Sequence, residues 1–370
     1  MAIQVINSQQ CPNAPTGIQA PGLVHKLDSE NVLYIYSDAS NNYCKFRVVT
    51  VASNGDLTFN TEYSFGSVIY VNNITEIESG KFAVAYSNST FYDSRIVIMT
   101  ISGTTISFGS NYLIHTSANT SATYSRVEMF TSTQLIYYVQ HDTNDIRMKL
   151  LGVNNTVVSI TSEAQLGNTY QWHPFIMRRD ANTVFIFTEH GYSMSYYGVI
   201  ATITLSGTTL SKTGQQYFAT NIVRVIHDVC WLDSDTIGVI FETQTAGGSK
   251  TRIALCQVDS SNNITNVHYQ LAANYESCMC GWSDSALFVS EANTISRVRT
   301  SDGFSTLYES ISSTIEVFTD YVYRNVASIS TSRVILTAHG CLYVIERDPE
   351  LVIEASLGTN DINISFSSTY

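Results

Sequence analysis

The chain has 370 residues, a formal charge of −12, 44% apolar residues and only 14% charged ones. The apolar share is that of a folded core and excludes a disordered chain, while 19 basic residues with no basic run exclude a nucleic-acid partner. No apolar stretch reaches transmembrane length, and MAIQVINSQQ lacks the basic and apolar regions of a secretory signal, so neither membrane insertion nor export is expected.

Residues 1–21 read as an N-terminal arm with one short alternating run, Ile3 and Val5. From residue 22 the chain repeats itself. Small polar residues followed by an apolar-rich strand recur as DSENVLYIYSD, ESGKFAVAYSN, TSTQLIYYVQH, DANTVFIFTEH, DSDTIGVIFET, SDSALFVSEA and STSRVILTAHG. The first core residues of these copies are Val32, Phe82, Leu135, Val184, Ile237, Leu287 and Val334, spaced by 50, 53, 49, 53, 50 and 47. Before each copy lies another strand, such as RVEMF or HPFIMR. After it come a polar loop, a third strand, a tight turn and a fourth strand. The turns (SNGD, SGTT, VNNT, SGTT, SSNN, SDG and DPE) are rich in Gly and Asn, which tolerate the positive φ of a tight hairpin.

Twenty-three tyrosines, many β-branched residues and only five prolines fit strands rather than long helices. Four antiparallel strands per repeat at a period near 50 predict an all-β fold, a seven-bladed β-propeller over residues 22–356. The sixth copy is short and irregular, so six or eight blades are the alternatives. Residues 357–370 form a C-terminal tail with a second alternating run, Ile362, Ile364 and Phe366. Either terminal run could supply a closing edge strand.

The hairpin SGTTISFGSNYL after FAVAYSNSTFYDSRIVIMTI resembles propeller repeats in virion-associated proteins of tailed bacteriophages. The resemblance covers about residues 22–356 and is sharpest in the second and fourth copies. It implies a non-enzymatic structural, decorating or host-recognition component of the particle, on the tail or the capsid. The implied partners are other virion proteins and a host-surface glycan or receptor. The implied location is the virion, after synthesis in the host cytoplasm. The resemblance brings no catalytic residue and no cofactor.

An up-and-down meander puts the second-to-third and fourth-to-first loops of every blade on one rim. Those second-to-third loops vary most, and variable loops on a rigid scaffold usually carry function. They hold the candidate binding residues Tyr43, Phe91, Tyr92, Tyr192, Tyr196 and Tyr197, which serve as contact surface or else pack over blade edges. Asp38, Asp142, Glu189, His190, Glu242, Glu291 and His339 follow equivalent strands on the same rim. Two such carboxylates at a suitable separation could hydrolyse a glycosidic bond, which makes a carbohydrate-active propeller the alternative function.

Other chemistry is not indicated. The seven cysteines are odd in number and scattered, which fits buried thiols better than a disulfide framework. His141-Asp142 and Glu189-His190 lack metal-ligand spacing, and AGGSKT lacks the spacing of a phosphate loop. SDGFSTLY faintly matches the Asp-box turn of sialidases and reads as an ordinary Asp-Gly turn. Trp231 and Trp282, at matching places in two repeats, read as blade-packing residues.

Overall fold

The computed structural model describes residues 3–14, 22–38, 43–64, 68–88, 93–116, 125–141, 145–167, 174–192, 195–219, 223–245, 248–271, 276–282, 285–290, 294–299, 307–312, 325–330, 333–338, 341–347, 351–357 and 362–368. The regular elements among them are all strands. Strand β1 is Ile3–Gln10. The first repeat supplies β2 (Leu23–Lys26), β3 (Asn31–Ser37), β4 (Cys44–Val51) and β5 (Leu57–Phe59). The second supplies β6 (Val68–Glu78), β7 (Lys81–Asn88), β8 (Asp93–Ser102) and β9 (Thr105–Thr116). The third supplies β10 (Arg126–Thr131), β11 (Gln134–His141), β12 (Asp145–Asn154) and β13 (Val157–Gly167). The fourth supplies β14 (Phe175–Arg178), β15 (Thr183–Tyr192), β16 (Ser195–Ser206) and β17 (Thr209–Ala219). Next come β18 (Val223–Trp231), β19 (Thr236–Thr245), β20 (Gly248–Val258) and β21 (Ile264–Leu271), then β22 (Glu276–Trp282), β23 (Ser285–Ser290), β24 (Thr294–Arg299) and β25 (Leu307–Ser312). Among the described residues the seventh repeat supplies β26 (Asn325–Ser328), β27 (Arg333–Ala338) and β28 (Cys341–Arg347). A separate hairpin follows, β29 (Leu351–Leu357) and β30 (Ile362–Ser368).

Seven four-stranded antiparallel sheets and one two-stranded sheet result. Six of the large sheets are consecutive meanders. The remaining one runs β1-β28-β27-β26, so the first strand of the chain completes the last repeat. Of the two alternating terminal runs, the N-terminal one closes this sheet, with Ile3 opposite Arg347 and Gln10 opposite Cys341. The other pairs with Leu351–Leu357 and with no strand of the seven sheets. The architecture is an all-β propeller of four-stranded antiparallel blades.

Alternation along each second strand explains how the blades pack. On β3, Val32, Tyr34 and Tyr36 pack with Ile335, Leu342 and Val344 of the last blade, while Leu33 and Ile35 pack with Phe82, Val84 and Tyr86 of the second. On β7 the same Phe82 set faces backward and Ala83 and Ala85 face forward, to Leu135, Tyr137 and Val139. On β11, Ile136 and Tyr138 face forward to Val184 and Ile186, and on β15, Phe185 and Phe187 face forward to Ile237, Val239 and Phe241. A strand buried on both faces reads as a continuous apolar run, which is how these segments read in sequence. The first core residues Val32, Phe82, Leu135, Val184 and Ile237 all turn toward the preceding blade.

The tight third-to-fourth turns share one conformation. Gly55, Gly103, Asn155, Gly207 and Asn262 occupy them with φ of 88°, 58°, 56°, 61° and 65°. Such angles are open to Gly and tolerated by Asn. These turns also latch neighbouring blades. Gln134 Nε2 donates to Gly207 O at 3.2 Å and Ser162 Oγ to Thr208 O at 2.7 Å, tying the third blade to the turn of the fourth. Arg179 Nε donates to Asn262 Oδ1 at 3.2 Å, and Arg333 donates to Ala52 O and Ser53 O. The repetitive rim is therefore a belt of inter-blade contacts.

Candidate binding rim and axial strands

The loop-rich rim is built where second strands end and third strands begin. Of the sequence candidates, Tyr197 is exposed there, on β16. It meets Tyr217 of β17 edge-to-face at 5.8 Å, and Tyr217 is exposed as well. Alternation drives their neighbours inward: Phe218 is buried and lies against Gly198, where a Cβ would stand 2.4 Å from the ring. Glycine at 198 thus lets β17 seat tightly, and the two tyrosines are left as a paired aromatic surface on the flank of the fourth blade.

Tyr43 is half-buried, and its carbonyl accepts a hydrogen bond from Asp38 N at 2.8 Å, closing the loop of the first blade. Phe91 and Tyr92 lie outside the described residues, and Tyr192 and Tyr196 lie on β15 and β16 without described side chains. Asp142, Glu291 and His339 also lie outside, and the His190 side chain is not described.

The three described acids belong to the wall of the molecule. Asp38 is buried and pairs with Lys45 Nζ at 3.4 Å. Glu189 is 3% exposed, and its Oε1 accepts the backbone N–H of Ile226 at 3.0 Å. Ile226 lies on β18, the innermost strand of the following blade, so the carboxylate satisfies a donor on the axial edge of a sheet. Glu242, five residues after Ile237 as Glu189 is after Val184, is likewise buried, with Oε2 3.8 Å from His227 Nε2. Ser87 occupies the same place in the second blade and accepts from Asn72 Nδ2 at 3.0 Å. In the fourth blade this position reaches the next blade, whereas in the second and fifth its partners Asn72 and His227 lie on the innermost strand of the same blade.

The axial side of the third blade holds a group the loop-centred reading missed. Arg126 begins β10 and lies over the Phe175 ring at 5.4 Å, with Nη1 donating to Asn72 O at 2.6 Å and Ser125 O at 3.3 Å. Burial lowers its pKa to about 10, against the opposing pull of the Asp228 carboxylate. Glu128 follows two residues later. Burial raises its pKa, although Met129 N and Thr75 Oγ1 both donate to its Oε1, at 2.8 and 2.7 Å. The signal was present in RVEMF, where charged residues alternate with apolar ones on an innermost strand.

Trp231 bridges blades as expected, with Nε1 donating to Arg178 O at 2.9 Å and Arg179 over its ring at 5.4 Å. The Trp282 side chain is not among those described. Cys11, Cys44, Cys230 and Cys256 are free thiols. Among the described residues there is no cluster of three metal-ligating side chains, and no helix is long and apolar enough to cross a membrane.

The chain matches no known protein-family profile and no curated protein. Its fold is similar to that of a Lactobacillus plantarum protein, with 11% identity over 78% of this chain and 84% of that chain and a TM-score of 0.56. It is also similar to Sqt1 of Saccharomyces cerevisiae, with 9% identity, 85% and 81% coverage and a TM-score of 0.52. The N-terminal domain of Nup159, also a Saccharomyces cerevisiae protein, gives 10% identity, 93% and 95% coverage and a TM-score of 0.51. At these identities the likeness is one of fold alone.

Proposed function

We propose that the seven sheets close into one seven-bladed ring and that the protein is a non-catalytic binding component of a tailed-phage particle, carried on the tail or capsid. Ring closure is supported by the run of innermost strands: β6 neighbours β10, and the series continues through β14, β18, β22 and β26 back to β2. The first and second blades meet through β3 and β4 against β6. The particle assignment draws on the resemblance of the repeats. One rim would be fixed to other virion proteins and the loop-rich rim left to contact a further partner or the host surface.

The observation that carries the non-catalytic reading is the burial of Glu189 and its bond to Ile226 N. A glycosidase would need this acid free to meet substrate, and here it holds the next blade. The exposed Tyr197–Tyr217 pair offers contact area without a reactive group. Antibody labelling of purified particles with electron-microscope imaging tests the proposal: discrete labelled positions on tail or capsid are expected. Particles free of the protein would refute the assignment, and glycan hydrolysis abolished by Glu189→Gln would replace it with the enzymatic alternative.

A further inference from the structure

The chain leaves β1 in a tight turn that plugs the seam between the last and first blades. Ala14 N donates to Cys11 O at 3.1 Å, and Asn13 takes a positive φ of 67°. Cys11 and Ala14 are buried in one cluster with Val32 and Tyr36 of the first blade and Leu342 of the last. Glu62 meets this turn from the edge of the first blade, where its neighbour Tyr63 bridges to Phe46. Its Oε2 accepts from Tyr36 Oη at 2.6 Å, Arg47 Nη2 at 2.9 Å and Asn13 Nδ2 at 3.3 Å. Arg47 Nε donates to the same Tyr36 Oη at 2.8 Å, and that phenol lies 3.3 Å from Pro12 O. One carboxylate thus joins two strands of the first blade to the turn that anchors β1.

The arm brings no charged side chain of its own, since residues 1–21 contain no Asp, Glu, Lys, Arg or His. The charged groups around Glu62 are Asp38, Lys45 and Arg47, with Lys45 Nζ 3.4 Å from both carboxylates. The Tyr36 phenol, with the Cys11 thiol beside it, completes the titratable set among the described residues, and His339 lies outside them. Two anions balance two cations while Glu62 is ionised. Protonation leaves Arg47, whose side chain is 10% exposed, without its carboxylate, a costly state for a buried guanidinium. Burial alone would raise the Glu62 pKa, but the bonds from Tyr36, Arg47 and Asn13 hold it below its ordinary value of 4.5. A carboxylate held low stabilises fully above that ordinary value, and the stability is lost as pH falls through the folded one.

We propose that Glu62 is an acid-released clasp for the N-terminal strand. Ionised, it holds the turn at 11–14 on the first blade, and with it the Gln10 end of β1 on β28. Protonated, it frees that end, so that β1 peels away and leaves β28 an open edge able to pair with another chain.

Hydrogen exchange of the full chain, corrected for the intrinsic effect of pH, tests the clasp by comparing the amides of β1 with those of β11. Glu62→Gln keeps an acceptor and removes the charge. At pH 7 it should speed exchange of β1 about tenfold, the weight of one charge-assisted hydrogen bond, and leave β11 unchanged. Asn13→Gly keeps the positive φ open and removes only the arm's bond to Glu62, so it should speed β1 by a smaller factor. As pH falls below 4.5, β1 of the parent should accelerate relative to β11, and Glu62→Gln should show no such step. The proposal is overturned if Glu62→Gln exchanges β1 at the parent's rate, if β11 accelerates as much as β1, or if the acid step persists in Glu62→Gln. Should Glu62→Gln not fold, Asn13→Gly decides, and an unchanged β1 in that variant overturns the clasp.

Discussion

Glu189 separates a structural acid from a catalytic one, because two substitutions at this site have opposite consequences under the two readings. Glu189→Ala removes the acceptor of Ile226 N, a 3.0 Å bond in a residue 3% exposed. A hydrogen bond to a charged group is worth about 1.5–3 kcal/mol, and an orphaned buried N–H carries a penalty of similar size that is part of the same loss. The expected destabilisation is therefore about 2–3 kcal/mol. Glu189→Gln keeps an amide oxygen in the same place and should cost about 1 kcal/mol or less, since the bond persists without its charge. Urea unfolding followed by tryptophan fluorescence measures both, with comparable slopes required for the comparison. Equal stability of the Ala and Gln variants, or an Ala variant within about 0.5 kcal/mol of the parent, would falsify the wall-acid argument.

Deleting residues 1–10 should lower the melting temperature markedly, because β28 loses its partner from Cys341 to Arg347 and the closing sheet keeps three strands; an unchanged melt would show that β1 is dispensable. Gly207→Ala meets no atom within 4 Å, so its cost is the positive φ of 61° alone, about 1 kcal/mol, whereas Asn155→Gly at the equivalent turn should be neutral or slightly stabilising. His25 stands edge-on to Phe82 at 5.4 Å, and burial lowers its pKa from 6.5 to about 4. Its neutral ring therefore contributes fully above pH 6.5, and up to about 3 kcal/mol is lost as pH falls toward 4. The urea midpoint should fall further between pH 7 and pH 4.5 for the parent than for His25→Gln, and parallel losses would rule the histidine out.

The repeat was legible because its strands are buried on both faces, so the same apolar run had to recur wherever a blade recurs. Val32, Phe82 and Leu135 mark equivalent positions in sequence and in packing alike. Turn chemistry was legible for a local reason: a positive φ selects Gly or Asn whatever surrounds it. The closing strand was not. Ile3 and Val5 alternate much as Ile362, Ile364 and Phe366 do, and only a pairing across nearly the whole chain separates them. The placement of the rim acids was not legible for a related reason. A residue at a strand end can point to solvent or inward, and Glu189 reaches the next blade's axial edge while Glu242 is buried beside His227 of its own blade.

The order β1-β28-β27-β26 has a consequence for biogenesis. Roughly 330 residues separate Gln10 from its partner Cys341, so at about 5–20 residues per second the first strand waits roughly 15–70 s on the ribosome for its place to exist. During that time it is an unpaired edge in search of any edge, a hazard the other blades avoid by pairing with what was just made. A circular permutant opening at Gly22 and carrying Ile3–Gln10 behind Arg347 would turn this longest-range contact into an ordinary hairpin. It should refold faster with little change in stability, since contact order falls while the native pairings stay the same.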